Sequence, residues 1–82
     1  MYQFYTVEIK KNSAGEFEHD MNWFWDESET KAQLKGEAKF HEILSRAATS
    51  TYIEHAAILF SSRGNRIMDK CYYHTAEVMD NA

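Results

Sequence analysis

A two-layer α+β fold is predicted, a four-stranded, mainly antiparallel sheet with one long helix packed on one face, in the order β-β-α-β-β. Three observations predict it. Residues 2–10 and 16–25 alternate with a period of two on either side of a turn-forming stretch. Residues 27–49 carry apolar side chains at helical spacing, and residues 52–61 and 66–74 are strand-like segments around a second turn. A lone amphipathic helix between two hairpins has one economical place to bury its stripe, across the sheet the hairpins make.

In the first strand Tyr5, Val7 and Ile9 fall on one face and Tyr2, Phe4, Thr6 and Glu8 on the other, so its two faces differ little in polarity. Lys11-Asn12-Ser13-Ala14-Gly15 is a turn by composition, since Asn, Ser and Gly bond their own backbone or accept positive φ. The second strand alternates cleanly. Phe17, His19, Met21, Trp23 and Trp25 point one way and Glu16, Glu18, Asp20 and Asn22 the other, which predicts one buried face and one acidic face. Asp26 and Glu29 make a D-x-x-E capping box, and the acidic residues of that first turn suit the positive end of the helix dipole. Along the helix Ala32, Gly36, Phe40, Ile43, Leu44 and Ala47 share one stripe, with Leu34, Ala38 and His41 as a weaker apolar edge. Gly36 disfavours a helix interior by about 1 kcal/mol relative to Ala, which predicts a close approach to a strand or a bulky side chain there. Thr49-Ser50-Thr51 breaks the helix, Ser62-Arg63-Gly64-Asn65 turns the second hairpin, and residues 75–82 are expected to fray.

The chain reads as a single domain. It has 82 residues, 44% of them hydrophobic and 27% charged with both signs interspersed, a composition that folds. No linker or repeat divides it. A lone cysteine, no charged-then-apolar leader and no apolar run near the roughly 20 residues that span a bilayer predict a cytoplasmic protein outside the membrane. Aromatics at 15% are many for a one-layer core. With one helix available, Tyr2, Phe4 and residues of the last two strands are expected to stay uncovered and to form an oligomer face, with a homodimer as the natural consequence.

No catalytic, cofactor or metal site is expected. Cys71 and His74 have a C-x-x-H spacing near His55, but residues three apart on a strand point to opposite faces. Cys71 sits mid-strand, away from the loop setting of a nucleophile, and the three glycines are too scattered for a phosphate loop. Direct nucleic-acid binding is disfavoured by the net charge of −4, although sheet aromatics beside Arg63, Arg66 and Lys70 keep a single-stranded nucleic-acid binder as one alternative, and a structural or assembly accessory whose open sheet face builds an oligomer is the other.

The distribution of charge points to a protein partner. Residues 12–30 contain no Lys or Arg, while Glu16, Glu18, Asp20, Asp26, Glu27 and Glu29 are all acidic. Glu16, Glu18 and Asp20, spaced two apart, predict a row of carboxylates that can imitate phosphates and enter a basic groove made for nucleic acid. The expected partner-binding set is Glu16, Glu18, Asp20, Asn22, Phe24, Asp26 and Glu27, with Phe24 as an apolar anchor that interrupts the acidic face. The competing explanation is that the carboxylates only keep a sheet edge soluble.

Two segments, Lys39-Phe40-His41-Glu42-Ile43-Leu44 and the hairpin running from Glu54-His55-Ala56-Ala57 to Cys71-Tyr72-Tyr73-His74, resemble small uncharacterised proteins of phages and mobile elements of gut bacteria. The resemblance covers about half of the chain, its motifs are those of a fold, and the acidic second strand lies outside it. It implies the β-β-α-β-β fold and a bacterial host. By analogy of setting it implies an inhibitor of a nucleic-acid-handling defence complex, of the anti-CRISPR kind, and it assigns no functional residue.

Overall fold

The computed structural model describes residues 1–74: β1 (Tyr2–Lys11), β2 (Phe17–Asp26), α1 (Glu29–Ala47), β3 (Glu54–Ser61) and β4 (Arg66–Tyr73). Residues 75–82, where fraying is expected, lie outside the described residues. The strands form one antiparallel sheet in the order β2-β1-β3-β4, so the first strands of the two hairpins lie side by side at its centre. The β-β-α-β-β order and the two-layer architecture are those expected from the sequence.

Both turns follow from their residues. Asn12 Oδ1 accepts from the backbone N–H groups of Ala14 and Glu16, each at 3.0 Å, and so closes the first turn with its own side chain. Gly15 and Gly64 have φ of 84° and 79°, left-handed conformations in which a Cβ is costly.

The helix starts two residues later than expected, and Ser28 caps it in place of Asp26. Ser28 Oγ accepts from the N–H of Lys31, while Asp26 stays in β2 opposite Tyr2. Asp26 accepts from the Ser28 N–H and lies 3.1 Å from Lys35 Nζ, and these two contacts hold its carboxyl below the usual range.

The core lies between the helix and one face of the sheet. Ala32, Gly36, Phe40 and Ile43 pack on Phe4 of β1 and Ala57 and Leu59 of β3, with Leu44 and Met68 at the margin. A Cβ on Gly36 would sit 2.6 Å from Leu59 Cδ1, so the glycine is the close approach that the helix pattern predicted. Polar groups share this core. Thr6 and Glu8 of β1 and His55 of β3 are buried, and Thr6 Oγ1 has no hydrogen-bond partner among the described residues.

Register overturns the expected assignment of faces. Phe4 stands opposite Phe24, Thr6 opposite Asn22 and Glu8 opposite Asp20, which puts Glu18, Asp20, Asn22, Phe24 and Asp26 on the helix side of the sheet. Phe17, His19, Met21, Trp23 and Trp25, the set expected to be buried, therefore point to the face opposite α1, which no helix among the described residues covers. Phe4 is a core residue only 3% exposed, so it leaves the expected oligomer face, and Tyr2 lies with it on the helix side. The physical cause is that a period of two sorts a strand into two sets but does not say which set the helix covers. β1 offers two nearly equivalent faces, and the small Gly36 and Ala32 fit the one that carries Phe4.

Candidate functional site: the uncovered sheet face

Four rows of side chains cross the face opposite the helix, read from β2 to β4 through the pairing register. They are Phe17–Lys11–Glu54–Tyr73, His19–Ile9–Ala56–Cys71, Met21–Val7–Ile58–Asp69 and Trp23–Tyr5–Phe60–Arg66. The centre is apolar, and charge sits in the first row and along β4. Tyr5 packs against Trp23 at 4.5 Å between ring centroids and against Phe60 at 5.0 Å, which makes a continuous aromatic band over three strands. Lys11 Nζ lies 5.3 Å above the Phe17 ring in the first row.

This surface is wet among the described residues. Trp25 is 50% exposed, Phe17 61%, Met21 44% and Trp23 42%, an unusual concentration of large apolar side chains in solvent on one strand. The helix cannot reach them because the sheet itself lies between. Sequence reasoning placed these residues in the core, since an apolar stripe on a strand is more often buried. The signal that could have found them is the apolar surplus: both faces of β1 and one face of β2 ask for cover, and one helix covers one side.

The expected acidic set is dispersed. Glu16 precedes β2 and accepts from Asn12 Nδ2 at 3.2 Å. Glu18 and Asp20 are exposed on the helix side of the edge strand, where Lys10 Nζ reaches them at 4.0 and 3.6 Å and offsets part of their charge. Asn22 and Phe24 are half-buried on that side of the sheet, with Phe24 opposite Phe4, so Phe24 is not a fully exposed anchor. Asp26 is engaged with Lys35, and Glu27 is exposed in the loop before the helix. Glu18 and Asp20 thus form a short acidic rim on one edge of the molecule, with Glu16 beyond its end.

A buried chain of polar groups joins the sheet to the end of the helix. His55 Nε2 donates to Glu8 Oε2, Ser50 Oγ lies 2.8 Å from His55 Nδ1, and Arg46 of the helix reaches the two Glu8 oxygens at 3.3 and 3.5 Å. Burial pushes the Glu8 carboxyl up, but the His55 hydrogen bond and the Arg46, His55 and Lys10 charges outweigh it and leave it below its ordinary value. Hydroxyl, imidazole and carboxylate stand in the order of a nucleophilic triad. The setting is wrong for that chemistry: His55 is 2% exposed, and Ser50 follows the C-terminus of the helix, whose carbonyl end repels a developing oxyanion. The chain of bonds instead ties β1, β3 and α1 together, and sequence reasoning missed it. A lone Glu8 within an apolar alternation was its trace.

Elsewhere, a cavity of about 280 Å³ opens near the start of the helix, between Tyr2, Glu29, Gln33 and Arg63. Its size is at the low end of ligand pockets, which run from about 300 to 1,000 Å³. Cys71 is half-buried on the uncovered face and His55 lies on the helix side, so the two do not converge. His74 Nε2 donates to the Ala47 carbonyl at 2.8 Å and closes the last turn of the helix. No helix among the described residues is long and apolar enough to cross a membrane. Compared with family models, curated proteins and solved structures, the chain shows no significant match.

Proposed function

We propose that this chain is a protein-binding module and that the uncovered face of its sheet is the contact surface. The observation that carries the reading is the solvent-facing set Phe17, Met21, Trp23 and Trp25, continued inward by Tyr5 and Phe60. Aromatic and Met side chains are the groups enriched at the centres of protein interfaces, and the charge on this face is sparse and of both signs. That balance does not favour a polyanion, although the aromatic band could stack bases.

The narrower reading, an inhibitor in the cytoplasm of a bacterial host that occupies a nucleic-acid groove of a defence complex, draws support from the edge. Glu16, Glu18 and Asp20 are exposed in succession there, and Lys10 is the cation that reaches two of them. The two surfaces are compatible, because the rim lies on the helix side and the apolar face lies behind it.

Photo-cross-linking in cells tests the reading. A benzophenone side chain at position 25, on the uncovered face, is expected to give protein adducts. One at position 34, on the outer flank of the helix, is expected to give few. Adducts from position 25 to nucleic acid alone, or equal yields from both positions, contradict it.

A further inference from the structure

We infer that the occupant of the uncovered face is a second copy of this chain, packed sheet against sheet about a two-fold axis that runs along the strands between β1 and β3. The inference rests on the reading above, that this face is a protein contact, and names the partner.

Size and charge argue for it. Four strands about 4.8 Å apart and some eight residues long, at about 3.3 Å each, give a footprint of roughly 500 Å². Two such faces bury at least about 1,000 Å² together, the size at which a specific interface begins. The axis along the strands lays β1 of one copy over β3 of the other and keeps each row opposite itself. Lys11 then faces Glu54 of the second copy, and Glu54 faces its Lys11, because the two residues are neighbours in one row. In the next rows Ile9 faces the small Ala56, Val7 faces Ile58 and Tyr5 faces Phe60, an apolar centre with a charged pair at one end. At the margins β2 lies over β4 and sets Trp23 against Arg66 and Met21 against Asp69, two charges already paired with each other at 3.3 Å. A two-fold axis across the strands instead sets Lys11 over Tyr5 and Glu54 over Phe60, so that neither charge meets an opposite charge of the second copy and Glu54 lies on an aromatic face. Packed sheets keep their strand directions within about 30° of each other, so pairs next to the axis stay opposed. Both helices and both acidic rims remain on the outside of the pair.

Sedimentation velocity on the full chain tests this. At micromolar concentration the wild type is expected to sediment as a species of twice 9.6 kDa. Lys11→Glu and Glu54→Lys are each expected to weaken self-association at least tenfold, since each homodimer then holds two like-charge pairs. Mixing the two variants is expected to restore a heterodimer of near wild-type affinity, because every pair across that interface is again opposite in sign. An effect within one chain cannot produce rescue by mixing, and circular dichroism of each variant checks that the fold persists. A monomeric wild type, or a mixture no tighter than its components, overturns the inference. If the wild type is monomeric and position 25 still cross-links to other proteins, the second copy is wrong and the protein-contact reading stands. If it is monomeric and position 25 gives no protein adducts, both are wrong.

Discussion

Replacing Glu8 with Ala is expected to lower unfolding stability by about 3 kcal/mol, the cost of removing a buried, hydrogen-bonded carboxylate and leaving the buried His55 imidazole without its partner. A chain of this length holds only about 4 to 12 kcal/mol in total, so the loss is large and is readable by urea denaturation. Glu8 lies under the helix C-terminus, where its carboxylate meets His55 from β3 and Arg46 from α1. Without it, the buried imidazole loses its acceptor and the arginine its anchor. The same group sets an acid limit. Its folded pKa lies below its ordinary value of 4.5, so the native state binds that proton less readily than the unfolded chain. Its contribution is therefore complete above the ordinary value and is lost as pH falls through the depressed one. Denaturation curves taken downward from pH 5 are expected to show a loss in the wild type that is smaller in Glu8→Gln. A Glu8→Gln profile parallel to the wild type contradicts this role.

A loss of similar size, about 3 kcal/mol, is expected for Leu59→Ala, where a fully buried side chain at the middle of the core is cut back to Cβ. This site also predicts a reversal of sign. Leu59 Cδ1 occupies the space that a Cβ on Gly36 needs. Gly36→Ala is therefore expected to destabilise the wild type despite its gain in helix propensity, and to stabilise the Leu59→Ala background by about 1 kcal/mol. Thermal or chemical unfolding of the four proteins in this cycle checks it. Additive effects mean that the two residues do not compete for the same volume.

The contrast between Gly36 and Trp23 shows how much the sequence discloses. Spacing along the helix identified the buried stripe and even the glycine that meets the sheet, because a helix has one covered side and its pattern must match it. Strand β2 alternates just as clearly, yet its pattern admits two placements that differ by which side faces the helix. The choice between them is made by the register with β1, a long-range relation that no local window contains. Tyr5 and Phe4 are neighbours of equal apolar character, so β1 offers no vote either. The same ambiguity left the proposed anchor Phe24 half-buried on the helix side and brought Trp25 into solvent. The Glu8–His55 pair was hidden for a related reason: 47 residues separate its members in the chain, and only the β1–β3 pairing brings them together.

Trp23 and Trp25, the chain's two tryptophans, stand on the side of β2 that faces away from the helix, so fluorescence quenching tests the exposure of that side most directly. Acrylamide quenching of Ile58→Asp, a variant that puts charge at the centre of the uncovered face and is confirmed as a folded monomer, is expected to reach both residues with red-shifted emission. Tryptophans that stay protected and blue-shifted in that dilute monomer would place them under the helix and contradict the account.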